Sequence, residues 1–203
     1  MKYPAFFDEI PAIVLNDPLA NFLGATEGGM LEYRYIDAVK LAGHSCPTVA
    51  AAYWMTYMAL RALYPEQMPE RGNIRIEFSR AGNEGTTGVV ANVVGMITGA
   101  AADSGFKGLS GMFDRRNKML FDVEMQTEIR FTRLDTHASV VTVVDMHPLP
   151  AAPGLMKLMS RYLNGTSSED EKSEFRQLWQ ARVKSLLLDH GQDSRVFSID
   201  YTP

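Results

Sequence analysis

His44 and Cys46 lie two positions apart and carry the residue types best suited to chemistry in this chain. In an extended segment, side chains with this spacing point to the same side, so an imidazole nitrogen and a sulfur can reach one cation. Pro47 favours the first turn of a helix, whose positive end beside Cys46 stabilises a thiolate. The pattern therefore predicts a divalent transition-metal site, with zinc as the first choice. The alternative is a metal-free enzyme with Cys46 as nucleophile and His44 as base.

A second candidate region is the glycine-rich segment 104–111, which contains Lys107 and is followed by Arg115, Arg116 and Lys118. Flexible backbone N–H groups beside cations suit a phosphate or a carboxylate. Neither a P-loop nor a dinucleotide-binding fingerprint is present. The segment predicts a small anionic ligand, and a solvated basic hairpin is the alternative.

The composition limits the class of protein. The chain has 203 residues, a formal net charge of -4 and one cysteine. Without an overall basic field we expect no nucleic-acid partner, and a single cysteine excludes an intrachain disulfide framework, which favours a cytoplasmic location. The first residues lack the pattern of a secretory signal, and the most apolar stretch, 49–63, is too short for a membrane span and contains Arg61. We therefore expect no membrane association.

The elements that must position the candidate residues are predicted from periodicity. An Ala-rich helix begins at Pro47 and runs to about Leu63, and the apolar run 89–97 favours a second helix. Helices are also predicted near 19–23, at 155–163, and from the capping pair Ser168 and Glu171 to about 187. The segments with strand character are 73–78, 119–123, 128–131, 139–144 and 195–199.

This order of elements predicts an α+β fold. In it, a long Ala-rich helix packs on a mostly antiparallel or mixed sheet, with a C-terminal helix beside it. Prolines and glycines among the first residues predict an N-terminal arm over 1–34 that wraps the main body, and residues 35–203 then form a single domain.

The segment Ala42-Gly43-His44-Ser45-Cys46-Pro47-Thr48, which opens the long helix, resembles the signature of the FmdE family of formylmethanofuran dehydrogenase components. Thr98-Gly99, the segment 105–109 and the basic turn before Met119-Leu120-Phe121 are similar to later elements of that family, so the resemblance covers roughly 35–200. It implies an α+β homodimer with a metal, often zinc, near His44 and Cys46. It does not imply the named reaction, which depends on a tungsten or molybdenum pterin and on other proteins of the dehydrogenase complex.

The chain departs from this family at four positions. Val89 and Ala100 stand where members commonly carry cysteines, Asn92 where they carry an aspartate, and Ala42 where many carry a histidine. A cysteine-rich site is therefore incomplete. Further metal ligands would have to come from His137, His147, Glu84, water or a partner chain. A third hypothesis is an interaction module whose Ala-rich helix mediates dimerisation and whose site has degenerated.

Overall fold

The computed structural model describes residues 2–203, and within them it contains six α-helices and two β-sheets. The helices are α1 (Pro18–Phe22), α2 (Tyr35–Ala42), α3 (Pro47–Leu63), α4 (Thr87–Thr98), α5 (Leu155–Leu163) and α6 (Glu169–Lys184). The strands are β1 (Ile13–Asn16), β2 (Met30–Tyr33), β3 (Ile74–Phe78), β4 (Met119–Leu120), β5 (Ile129–Arg133), β6 (Ser139–Val144) and β7 (Phe197–Thr202). Two short 3₁₀ turns, Ala5–Glu9 and Glu27–Gly29, and a π-turn, Ser185–Asp189, complete the set.

The larger sheet has the strand order β4-β3-β5-β6-β7. Only β3 and β4 run parallel, and the other neighbours are antiparallel, with Phe131 opposite Val140 at the centre. Both of these side chains are fully buried, as period-two alternation requires on the face that packs against helices. The predicted α+β class and the mostly antiparallel, mixed sheet are confirmed.

Helix α3 is the central helix of the core and spans the predicted residues. Small side chains such as Ala50, Ala52 and Ala59 are completely buried, so α3 approaches both β6 and α4 closely. Cys46 is its N-cap, Pro47 occupies the first helical position, and Tyr64 ends it. Within residues 2–203 no helix combines the length and the apolar character needed to cross a membrane.

The predicted helix over 89–97 is confirmed as α4, which ends where Gly99 adopts a left-handed φ of 73°. The strand predicted over 119–123 is shorter and ends at Leu120, and Asp122 shortly after it has a left-handed φ of 57°. The last strand extends beyond the predicted 195–199, because its pairing with β6 continues to Thr202.

The N-terminal segment is built into the same hydrophobic core as the rest of the chain. Strand β1 pairs antiparallel with β2, and Leu15 is completely buried. The hydroxyl of Tyr53 on α3 donates to the carbonyl oxygens of Pro11 and Tyr33, at 2.8 and 2.9 Å. The arm therefore contacts the central helix directly.

Candidate functional site

The segment from His44 to Cys46 joins α2 to α3. Gly43 ends α2 in a left-handed conformation, with a φ of 76°, and the chain then runs extended into the N-cap of α3. The side chain of His44 is exposed, and its Nδ1 lies 2.9 Å from the carbonyl oxygen of Ala42. Cys46 is buried, and its Sγ accepts the backbone N–H of Val49 at 3.5 Å. The sulfur therefore serves as the helix cap.

Ser45, between the two predicted ligands, is held by α6 and α2. Its carbonyl oxygen accepts the indole N–H of Trp179 at 2.9 Å and the side-chain amide of Gln180 at 3.2 Å. Its hydroxyl donates to Oε1 of Gln180 at 3.0 Å and lies 2.9 Å from the hydroxyl of Tyr35. Burial raises the pKa of Tyr35 above its ordinary range, and its hydrogen bond to Ser45 opposes that effect only in part. The segment is thus fixed by contacts from residues 134 and 135 positions away in the chain.

Sequence reasoning missed Trp179 and Gln180 as residues that position this segment. Its spacing with Phe175 and Val183 places Trp179 on the apolar side of the C-terminal helix, and nothing local identifies its N–H as a partner for Ser45. The glutamine is one of several polar residues on α6. Only the docking of α6 against the start of α3 reveals their role.

The donors present do not complete a zinc site within one chain. Among residues 2–203 no three side chains of His, Cys, Asp or Glu come together as a metal-binding group. Of the extra ligands considered from sequence, His137 is exposed in the turn between β5 and β6, and His147 contacts Asp145. Glu84 pairs with Arg80 at 3.8 Å. A tetrahedral ion held by His44 and Cys46 would need its other ligands from water or from a second molecule.

Two of the positions at which the chain departs from the family pattern line a common groove. Asn92 and Ala100 both contribute to a groove along α4, whereas neither His44 nor Cys46 lies on its lining. Val89 packs against the hydrophobic core. Asn92 and Ala100 therefore share a groove that His44 and Cys46 do not line.

A cavity of about 260 Å³ lies between the N-terminal ends of α3 and α4, next to the His-x-Cys segment; we call it the α3–α4 cavity. Most of its wall is apolar, and five polar or charged side chains complete it. The lining consists of Pro47, Thr48, Ala51, Met55, Phe78, Arg80, Thr86, Thr87, Val90, Glu128, Ile129, Val144 and Met146. The cavity therefore has an apolar body and a polar mouth.

The charges at the mouth are weakly paired. Arg80 lies 3.8 Å from Glu84 and 4.0 Å from Glu128, and all three side chains are more than half exposed. Such long, exposed ion pairs contribute little free energy, so Arg80 can exchange them for an anion. The first residues of α3 and α4, Pro47 and Thr87, also face this cavity, and the positive ends of both helix dipoles favour negative charge there.

The predicted basic cluster is divided by the fold. Arg116 pairs with Asp114 on the surface at 2.7 Å, and Lys107 is exposed. Arg115 instead turns inward and donates through Nη2 to Asp17 at 2.6 Å. The Lys118 ammonium donates to the carbonyl of Gly72, and burial, reinforced by the charge of Arg115, lowers its pKa.

Asp17 is the anion that organises this inner group. Arg71 contacts its other carboxylate oxygen at 2.8 Å, and the N–H groups of Leu19 and Ala20 donate to Oδ1. Burial by itself would raise the pKa of Asp17, but the hydrogen bonds and the charges of Arg71 and Arg115 outweigh it, so the pKa is lowered. The carboxylate is ionised and fully satisfied.

Comparison with known proteins returned no matching family model and no matching curated protein. The fold and the site therefore define the class only as an α+β protein with a cavity at the start of its central helix. The resemblance to the FmdE family stays a prediction.

Proposed function

We propose that this protein binds a small molecule with an apolar body and an anionic group in the α3–α4 cavity. The observation that carries the proposal is the cavity itself, which is apolar inside and presents Arg80 at its mouth. Ligand sites are typically concave and mostly apolar, with a few polar groups that fix the orientation of the ligand.

Different residues of the cavity would contact the apolar body and the anionic group of the ligand. Met55, Phe78 and Val144 offer apolar contact to the body of the ligand. Arg80 and the N–H groups at the beginning of α4 attract the anionic group of the ligand. The carboxylate of Glu128 repels that group and so lowers the affinity for negative charge. Because Cys46 caps α3, the hydrogen bonds that fix Ser45 also hold the beginning of α3, one wall of the cavity, in place.

The test uses hexanoate and its uncharged counterpart hexan-1-ol, titrated by calorimetry into the full chain. We expect hexanoate to bind more tightly than hexan-1-ol.

Arg80→Gln should weaken the binding of hexanoate about tenfold without changing that of hexan-1-ol. Glu128→Gln should strengthen the binding of hexanoate, because it removes a like charge. Ala51→Phe should fill the cavity and abolish both. Arg61→Gln, at the exposed far end of α3, is the matched control. Equal affinity for the two probes, or no effect of Ala51→Phe, would overturn the proposal.

A second candidate function is that of an FmdE-like protein that holds a divalent metal, zinc foremost, at His44 and Cys46. The observation that favours it is the contact of His44 Nδ1 with the Ala42 carbonyl, which orients the ring and leaves Nε2 toward solvent. Water or a second copy of the chain would supply the remaining ligands, so this candidate includes a homodimer. The buried sulfur makes the metal-free nucleophile a weaker alternative.

The metal content of untagged protein, measured by mass spectrometry, tests this candidate. We expect about one zinc, iron or nickel ion per chain, lost in both His44→Ala and Cys46→Ser, as for a structural or catalytic site. His190→Ala, a histidine paired with Asp193 after α6, serves as the control and should retain the metal. Sedimentation with and without a chelator tests the dimer. Metal-free protein after reconstitution would exclude this candidate and would leave the α3–α4 cavity unaffected.

A further inference from the structure

A groove of about 700 Å³ runs along the side of α4 that faces away from the α3–α4 cavity; we call it the α4 groove. One wall is formed by residues of α4 and by its C-cap: Gly88, Ala91, Asn92, Gly95 and Gly99. The opposite wall includes two aromatic rings, Phe106 and Phe121. The α4 groove shares none of its lining residues with the α3–α4 cavity.

Arg115 also lines this groove, although the residue is only 6% exposed. Its Nη2 donates to Asp17, whereas Nη1 is buried and has no hydrogen-bond partner among the described residues. A buried guanidinium N–H without an acceptor costs free energy, and such a group in a native protein points to a partner that the chain itself does not supply.

The glycines beside Arg115 keep this atom close to the groove. Gly99 lines the groove, and a Cβ built on it would lie 3.0 Å from Nη1, so no side chain of residue 99 separates the two. Gly72 makes room on the other side, because a Cβ there would overlap Nη1. The backbone of Arg115 is fixed in turn by its N–H, which donates to the carbonyl of Phe106 at 2.8 Å, and by its carbonyl, which accepts from Ala101.

Cations and carboxylates are mixed around Arg115. Arg71, Arg115 and Lys118 are the cations, and Asp17, Glu70 and Asp114 are the carboxylates whose charges act on them, with Asp114 itself paired to Arg116 on the surface. Asp17 is already satisfied by two arginines and two backbone N–H groups. An additional anion at the end of the groove would accept the N–H of Nη1 in a charge-assisted hydrogen bond.

We propose that the α4 groove binds a small aromatic molecule that carries a carboxylate or a phosphate, with Arg115 holding the anion. Phe106, which is 42% exposed, and Phe121 offer edge or stacked contact to the ring of the ligand. This site is separate from the one proposed above and does not depend on it.

The experiment is an NMR titration of the full, isotope-labelled chain with phenyl phosphate, benzoate, inorganic phosphate and benzyl alcohol. We expect phenyl phosphate or benzoate to bind at least tenfold more tightly than benzyl alcohol or inorganic phosphate, with shifts at residues of the groove. The first two probes distinguish a phosphate from a carboxylate ligand. Binding of neither aromatic anion, or equal binding of inorganic phosphate, would overturn the proposal.

Two variants test the role of Arg115 without relying on a truncation that unfolds the chain. Arg115→Lys keeps the charge near Asp17 but loses the forked donor, and Asn92→Asp adds a negative charge on the exposed wall of the groove. Each should weaken the aromatic anion about tenfold with the melting temperature of Asn92→Asp unchanged. Arg116→Gln, at the neighbouring surface arginine, should bind like the wild type. Unaltered affinity in both Arg115→Lys and Asn92→Asp would show that the anion lies elsewhere.

Discussion

The indole N–H of Trp179 on α6 donates to the carbonyl oxygen of Ser45 over 2.9 Å, and so joins the C-terminal helix to the residue between His44 and Cys46. This bond crosses from one end of the chain to the beginning of the central helix. Any ligand chemistry at the start of α3 depends on how firmly α6 holds that carbonyl.

Trp179→Phe should therefore loosen the segment before α3. We expect a loss of about 1 kcal/mol in the free energy of unfolding, since one hydrogen bond is removed, with faster amide exchange over 44–49. The lone thiol, Cys46, should also react faster with a disulfide reagent. Trp54→Phe is the control, because its indole N–H donates to Gly191 at 2.7 Å, away from this segment. If both variants accelerate the Cys46 reaction equally, Trp179 has no specific role there.

Replacement of Cys46 should separate its function as a helix cap from any function as a ligand. Serine is a better N-cap than cysteine and alanine is a poor one, so Cys46→Ser should keep the stability of the chain while Cys46→Ala loses about 1 kcal/mol. Chemical denaturation measures both. Equal stability of the two variants would show that the contact between Sγ and the Val49 N–H contributes nothing.

The Asp17 cluster predicts a pH dependence with a definite sign. The pKa of Asp17 in the folded chain lies below its ordinary value of 3.8, so the stabilisation that it provides is present above that pH and is lost as the pH falls through the lowered pKa. Asp17→Asn should cost about 3 kcal/mol at neutral pH, because two arginines lose a buried partner. The difference from the wild type should shrink in acid.

Urea denaturation at a series of pH values checks this prediction. Asp103→Asn, an exposed carboxylate in the loop after α4, is the control and should follow the wild type throughout. A constant difference between Asp17→Asn and the wild type from neutral pH to below pH 3.8 would contradict the assigned ion pairs.

Gly72 should tolerate a side chain less well than Gly165, a glycine of similar conformation with open space around it. Gly72 and Gly165 both have a left-handed φ, of 86° and 70°, so alanine costs about 1 kcal/mol of backbone strain at either. At Gly165 the Cβ meets nothing within 4 Å, whereas at Gly72 it overlaps the Arg115 guanidinium. Gly72→Ala should therefore lose clearly more stability than Gly165→Ala in denaturant unfolding. Similar losses would place Arg115 elsewhere.

Much of the local structure was accessible from the sequence. Pro47 marked the beginning of α3, alternation identified β3, the β-branched residues of 139–144 identified β6, and the capping pair Ser168 and Glu171 marked the beginning of α6, where both hydrogen bonds of the box form. These signals are local, because they act through residues within one or two turns. They also sufficed for the α+β class, since a helix and a sheet that are each apolar on one side must pack together.

The residues of the candidate sites were accessible only in part. His44 and Cys46 were identified by type and spacing, but their different exposure and the capping role of Cys46 follow from how α2 and α3 meet. Arg115 and Arg116 were predicted together as parts of one basic region. Their sequence pattern does not reveal that Arg115 is buried against Asp17 whereas Arg116 lies on the surface.

The sequence by itself determined five of the six helices, most strands and the chemistry available at the start of α3, because propensity, capping and periodicity are properties of neighbouring residues. The tertiary structure alone decided the contact of Trp179 with Ser45 and the pairing of Arg115 with Asp17. It also decided the positions of the α3–α4 cavity and the α4 groove on either side of α4. Each of the two contacts joins residues that are at least 98 positions apart in the chain. They arise from the packing of buried surfaces, which no local pattern encodes.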